Sequence, residues 1–321
     1  MLSVNRNAIK LAEKILENKD ALGANYYIID GCNLIDCGVD AEGSIEAGIL
    51  VSQICMGGLA ELKVYRNTNY DHGMFLNVRS GKPLTATLGS QYAGWKIKIR
   101  DYFALGSGPA RTLNGLENDL FNKINYHDSY DKTVIFLETR RIPSPEVIRY
   151  ISRSCGIRSR DLTVIVAPTA SIVGSVQISA RVLETAIHRL MHLEFPLNSI
   201  IQGEGSCPIP PVAPSDIDAM GLTNDAIIMM GEVNLTVKGI ADSIVEETCS
   251  KATSLNSPAY GKPFIEVLKN AAYKFYNIDP AIFSTAKINV FNKSSERKYE
   301  FGRLNWNGYL KSVSRYAGKS V

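Results

Sequence analysis

The chain has 321 residues, 45% of them hydrophobic and 21% charged, which is enough for real cores and too long for one minimal domain. Its 35 basic and 32 acidic side chains leave a net charge of +3, which gives no case for a nucleic acid or an anionic membrane as partner. No run of 18 consecutive apolar residues occurs, which excludes a membrane-spanning helix.

The first stretch, "MLSVNRNAIKLAEKILENKD", places Leu11, Ile15 and Leu16 near one face among lysines and glutamates. That is an amphipathic helix rather than a signal peptide, so a cytoplasmic protein is expected. Strand-like runs follow at "NYYII", "CNLIDCG", "MFLNV", "WKIKIR", "KTVIFLE", "LTVIVA", "AIIMMG", "EVNLTVKG" and "AKINVFN". Helical patterns lie between many of them: "EAGILVSQICMGGLAEL", "LTATLGSQYAG", "SPEVIRYISRSCG", "GSVQISARVLETAIHRLMHL", "ADSIVEETCSKAT" and "GKPFIEVLKNAAYKFY". Strands mixed with helices over this length mean an α/β or α+β protein.

Two Gly- and Pro-rich stretches, "DYFALGSGPARTLNG" and "GEGSCPIPPVAPSD", read as ordered loops or linkers and as candidate crossings between lobes. The expected lobes are 1–110 plus 245–321, discontinuous, and 111–244, which carries the long helix. Cys32, Cys37, Cys55, Cys155, Cys207 and Cys249 form no CxxC and no regular framework, so reduced, buried thiols are expected. A nucleophilic Cys207 would need an activating partner, and none stands near it in sequence.

Within "LTVIVAPTASIVGSVQISARVLETAIHRLMH" an apolar run leads through a Pro-Thr-Ala-Ser turn into the long helix. At 100° per residue, Val176, Ala180, Leu183, Ile187 and Leu190 form one apolar seam. Ile178, Val182 and Ala186 cover much of the opposite side. Gln177, Arg181, Glu184 and His188 share the stripe that remains, which faces either a cleft or solvent. An exposed Arg-Glu pair is the bland account, although helix pairs favour the acid N-terminal to the base and here Arg181 comes first.

Other stretches hold candidate chemistry beside an ordinary structural reading. His188 and His192 form an HxxxH that can bind one metal from adjacent turns, but the HExxH pattern is missing, and His72 and His127 sit in unrelated contexts. "GSGPAR" lacks the Gly-Lys-Ser/Thr ending of a phosphate loop. The amides of Gly106, Ser107 and Gly108 with Arg111 would still suit a phosphate or carboxylate, and a tight turn with a surface arginine explains the pattern equally well. "YGKPF" opens a helix running to Tyr276, with Pro263 early in it and Lys262 at its start. "TND" puts Asn224 and Asp225 at the edge of an "AIIMM" strand, as turn formers or site residues.

Together these stretches resemble the methenyltetrahydromethanopterin cyclohydrolase family. The likeness runs in collinear order from "SVN" through "IDCGVDAEGSIEAG", "CMGGLA", "QYAGW", "DYFALGSGPAR", "VAPTASIVGSVQISARVLET", "TND" and "YGKPF" to "IDPAIFSTAKINV". It implies a two-lobed α/β subunit of mixed sheets flanked by helices, with a pterin substrate in a deep inter-lobe pocket. It also implies a homo-oligomer, with a trimer favoured, and no metal or cofactor beyond the carrier itself.

The implied reaction interconverts the cyclic methenyl cation of the carrier and its open 5-formyl form, by adding water and releasing a proton. By the resemblance Glu184 and Arg181 are the catalytic pair, Glu184 holding and deprotonating the water and Arg181 keeping it ionised and oriented. Arg111, Lys262 and the amides of Gly106–Gly108 become candidate anchors for the carrier's anionic tail. Gln177, Ser171, Thr169 and Asn224 become pterin or water contacts. The chain departs from the family's simpler "GxAPIAP" in "GEGSCPIPP", which adds Glu204, Ser206 and Cys207, and it carries Ser44 where a paired glycine is usual. A non-catalytic pterin carrier of the same fold, or a metal hydrolase using Glu184, His188 and His192, are the competing readings.

Overall fold

"KTVIFLE" and "LTVIVA" are too short for helices and apolar at nearly every position, the pattern of strands covered on both faces. The computed structural model describes residues 2–71, 73–274 and 277–316. His72 and the expected helix end at Tyr276 lie outside the described residues.

In chain order the first half forms α1 (Val4–Glu17), β1 (Asn25–Ile29), β2 (Cys32–Asp36), α2 (Ile45–Cys55), β3 (Glu61–Asn67) and β4 (Gly73–Ser80). There follow α3 (Pro83–Ala86), β5 (Trp95–Ile99), β6 (Tyr102–Ser107), α4 (Asn118–Lys123), β7 (Thr133–Glu138), α5 (Pro145–Ser154) and β8 (Leu162–Ala167). The second half forms α6 (Ile172–Ser179), α7 (Val182–His192), β9 (Ile200–Pro208), α8 (Asp216–Met230) and β10 (Glu232–Val237). It ends with α9 (Asp242–Cys249), α10 (Phe264–Asn270), β11 (Lys287–Asn292), β12 (Arg297–Gly302) and α11 (Trp306–Ser314). The α/β class with two mixed sheets is as expected. Among the described residues no helix is long and apolar enough to cross a membrane.

One unit comprises Met1–Ala60 and Leu84–Gln177. Its sheet runs β1-β2-β8-β7-β6-β5, with β2, β8 and β7 parallel and the other neighbours antiparallel. Alternate residues of the parallel strands feed two cores. Ile35, Phe136 and Ile165 pack with Ala8, Ala12 and Ile15 of α1 and Val51 and Ile54 of α2. Leu34, Leu137 and Val164 pack with Val147, Ile148 and Ile151 of α5. Ser3 caps α1 by accepting from the Arg6 amide, and Asp128 accepts from both Ser3 and Asn5. The "SVN" stretch therefore docks the first helix.

The other unit comprises Glu61–Pro83 and Ile178–Val321, with a sheet ordered β12-β11-β10-β9-β4-β3. Only β10 and β11 are parallel within it. This division corrects the expected lobes of 1–110 plus 245–321 and 111–244. Strand pairing decides it: β7 and β8 join the N-terminal β2, whereas β9 to β12 join β3 and β4.

Other expectations change as well. "DYFALGS" and "GEGSCP" are strands β6 and β9, because their glycines lie at positions where a neighbour crowds the strand face. "TND" and "AIIMM" belong to α8, which is buried nearly all round and so shows no helical period. Ser215 caps that helix and Gly231 ends it. The "YGKPF" helix starts at Phe264 with Pro263 as its cap residue, and it stops at Asn270. Ser44 caps α2 through the Ala47 amide and donates to Leu22 O.

Candidate active site

The long helix expected over 174–193 is two helices. Its peptide chain tightens at Ala180–Arg181, where the Arg181 amide bonds back three residues to Ile178 O at 2.9 Å and Arg181 takes φ −76°, ψ −2°. Ser179 at the end of α6 donates to Pro208 O at 3.0 Å, fastening the break to the end of β9. Arg181 thus becomes the cap residue of α7 and Glu184 falls in the first turn, where the exposed N–H groups of a helix favour negative charge. The break also divides the expected stripe: Gln177 belongs to α6, and Arg181, Glu184 and His188 to the start and body of α7.

Arg181 Nη1 donates to Glu184 Oε2 at 2.9 Å, and both side chains are largely withdrawn from solvent, at 13% and 8% exposure. An exposed Arg-Glu pair contributes little, so the depth of this one removes the bland surface reading. The pair is ionic, rigidly based and set in a helix start.

Its foundation is β9. Gly203, Gly205 and Cys207 share the strand face turned toward α7, while Gln202, Glu204 and Ser206 take the opposite, partly open face. A Cβ on Gly205 would stand 2.7 Å from Val182 Cγ1 and 3.3 Å from the Leu183 amide nitrogen. A Cβ on Gly203 would stand 2.8 Å from Leu183 Cδ1. The strand is bare where the first turn of α7 leans on it, and that turn holds Glu184. On the other face Glu204 accepts from Asn77 and Ser206 pairs with Tyr65. Cys207 is wholly buried and burial pushes its thiol up, opposite to what a nucleophile requires.

The turn between β8 and α6 is built from its own side chains. Ser171 caps α6, donating to Pro168 O at 2.7 Å and accepting from the Gly174 amide at 2.9 Å. Gly174 is needed there, since a Cβ would lie 2.3 Å from Pro168 O. Thr169 donates to Glu138 Oε1 at 2.5 Å, and Gln177 is fully buried on α6.

Several expected contacts are engaged elsewhere. Arg111 is wholly buried, with Nε and Nη2 on Glu117 at 2.7 and 2.6 Å and Nη1 on the carbonyls of Leu88 and Ser90. The rings of Tyr92 and Phe121 flank its guanidinium. It ties a turn together inside the unit and has no face left for an anion. Gly106 and Ser107 are central strand residues paired with both β5 and β7, or with β7, and the Gly108 amide donates to Ser90 O at 2.8 Å. The expected phosphate cradle is therefore a strand end, with Gly106 and Ser107 paired in the sheet and the Gly108 amide on Ser90 O.

Asn224 bonds back to Met220 O on its own helix, and Lys262 is exposed just before α10. His188 and His192 lie with ring centroids 4.5 Å apart, and burial, then His192, pushes His188 down to about 4. Among the described residues no group of three or more His, Cys, Asp or Glu is placed to hold a metal ion.

Sequence reasoning missed Glu138, whose only signal is an acid closing an apolar parallel strand. It also missed the bare face of β9, signalled by the G-x-G of "GEGSC", and it placed Asp225 at a strand edge where the structure buries it within α8.

A family model described as "Cyclohydrolase (MCH)" matches residues 3–313. Methenyltetrahydromethanopterin cyclohydrolase of Methylobacillus flagellatus is 40% identical over 304 residues, 94% of this chain and 92% of the relative. The protein of the same name from Methanocaldococcus jannaschii is 36% identical over 318 residues, 98% of each chain. That from Methanocorpusculum labreanum is 40% identical over 314 residues, 97% of this chain and 99% of the relative.

Proposed function

The chain belongs to the methenyltetrahydromethanopterin cyclohydrolase family, and from that premise we propose how its own residues carry the reaction. The chain is a hydrolase acting on carbon–nitrogen bonds. Water adds to the methenyl carbon of the 5,10-methenyl-tetrahydromethanopterin cation, the C–N bond to N10 breaks, and the 5-formyl product and a proton leave. Run backwards, the same steps close the ring.

The methenyl carbon sits between two ring nitrogens in an amidinium-like cation and is electrophilic without further polarisation. What the reaction needs is a placed water and an acceptor for its proton. Glu184 is that acceptor, and its negative charge favours the cationic substrate. Arg181 orients the carboxylate and donates to the oxygen that becomes the formyl oxygen. Gln177 contacts the pterin or the water. On this reading no metal or cofactor is required beyond the carrier. The proposal extends to a cytoplasmic homo-oligomer, a trimer favoured, and six buried free cysteines accord with a reducing compartment.

The observation that carries the reading is the withdrawn Arg181–Glu184 pair, 2.9 Å apart on a helix start, in a chain matched over residues 3–313. A carrier that only bound the pterin would have no use for a carboxylate held in this way. The test is loss of the methenyl chromophore on mixing with methenyl-tetrahydromethanopterin. Wild type is expected to bleach it, and Glu184→Gln still to bind it while turnover falls about 10²- to 10⁴-fold. Binding without bleaching by wild type would instead make the protein a carrier.

A further inference from the structure

Two acidic residues end parallel strands at the same edge of the N-terminal unit's sheet. Asp36 closes β2 and Glu138 closes β7, on either side of β8. In parallel α/β sheets the carboxyl edge is where loops leave the strands and where ligands are held. Asp36 is consumed by the protein. Its Oδ1 accepts from the amides of Gly38 and Val39 at 2.9 and 2.7 Å, and its Oδ2 from Asp40 and Ala41 at 2.8 and 3.0 Å.

Glu138 is different. It is only partly buried, and among the described residues it accepts one hydrogen bond, from Thr169 to Oε1. No cation or backbone amide among those residues engages it. Thr169 is itself buried in the fixed turn that leads into α6, so it sets the direction of the carboxylate. A carboxylate aimed in this way, with its second oxygen open, fits a planar pair of N–H donors.

A pterin ring presents such a pair at its aminopyrimidinone edge, the ring N3–H and the 2-amino group. We propose that Glu138, oriented by Thr169, accepts both donors and is the residue that recognises the substrate's pterin ring. This rests on the cyclohydrolase reading for the identity of the substrate. Glu138 is a binding residue in this assignment and takes no part in the proton transfer.

The test follows turnover of methenyl-tetrahydromethanopterin by its chromophore, and binding of 6,7-dimethyltetrahydropterin and of its analogue lacking the 2-amino group by calorimetry. Glu138→Gln is expected to raise KM about 10- to 100-fold, the range for hydrogen bonds to a charged group, while kcat falls far less. Thr169→Val is expected to shift KM in the same direction by a smaller factor. Wild type is expected to prefer the pterin with its 2-amino group, a comparison that needs no variant to fold. Unchanged KM in both folded variants, or equal wild-type affinity for the two pterins, overturns the assignment. Failure of the wild type to bleach the substrate strikes the cyclohydrolase reading, and Glu138-dependent pterin binding would then survive it. A wild type that neither bleaches the substrate nor binds either pterin overturns both.

Discussion

Replacing Gly205 by alanine tests whether the bare strand sets the Arg181–Glu184 pair proposed for catalysis. The added Cβ would lie 2.7 Å from Val182 Cγ1, against the ~3.5–4.0 Å at which carbon atoms rest, so the first turn of α7 must retreat by about 1 Å. Val182 is β-branched and has little rotamer freedom in a helix, and the Leu183 nitrogen at 3.3 Å blocks escape along the backbone. The displacement therefore passes to Arg181 and Glu184. A misplacement of this size costs about 100-fold in rate, and overpacking costs about 1–3 kcal/mol of stability. Alanine is otherwise the better strand residue, so loss of stability has no source in propensity. Turnover of the methenyl substrate, measured below the melting temperature of each variant, should show kcat down about 100-fold with a small change in KM. Gly203→Ala meets Leu183 Cδ1, the rotatable end of a side chain, and should lose less. Adding Val182→Ala to Gly205→Ala removes the colliding methyl and should return most of kcat. Full kcat in a folded Gly205→Ala protein would refute the reasoning.

Asp225 accepts from the Phe264 amide and from Ser312 in a fully buried site, and burial pushes its carboxyl up to about 6 from 3.8. Since the folded pKa exceeds the unfolded one, the favourable contribution is complete below about 4 and is lost as pH rises through 6. Asp225→Asn should abolish that loss, worth about 3 kcal/mol above pH 6, in denaturant melts at pH 5 and pH 8, and equal stability differences at the two pH values would contradict it. Arg111→Met breaks a buried ion pair and should cost about 3–5 kcal/mol in chemical melts while leaving KM nearly unchanged. A raised KM without lost stability would restore the anion anchor. His188→Gln should keep kcat within a few-fold, and a chelator should leave activity intact; activity lost to the chelator would revive the metal hydrolase.

The class of fold was legible because its central strands advertise it. Runs such as "LTVIVA" with helices between them admit few other architectures, and the resemblance supplied the pair proposed for catalysis. What stayed hidden has a physical reason in each case. Glycine in "GEGSC" and "LGSG" signals a loop when propensity is read alone, yet here it marks strands pressed by a neighbour, which only tertiary packing shows. Helix α8 is buried on most sides, so "AIIMM" carries no period by which to tell it from a strand. The break at Ala180–Arg181 involves neither Gly nor Pro. It is held by Ser179 on Pro208 O, a contact 29 residues away in sequence. Arg111 looked like a surface anchor because its partner Glu117, six residues on, has no pairing signal outside a helix.

Four carboxylates of this chain show why residue type alone underdetermines role. Asp36 has both oxygens filled by four backbone amides and can only shape its loop. Asp225 meets an amide and a hydroxyl in a buried site where burial pushes its carboxyl up to about 6, and through them it joins α8 to α10 and α11. Glu184 receives the Arg181 guanidinium at the start of α7, and both direct it. Among the described residues Glu138 receives a single hydroxyl, enough to aim it and too little to satisfy it. Asp36 is thus satisfied by the protein's own amides, whereas among the described residues Glu138 keeps an oxygen open to a ligand. That open oxygen separates Glu138 from the scaffold carboxylate Asp36 and suits it to the recognition of the pterin proposed for it.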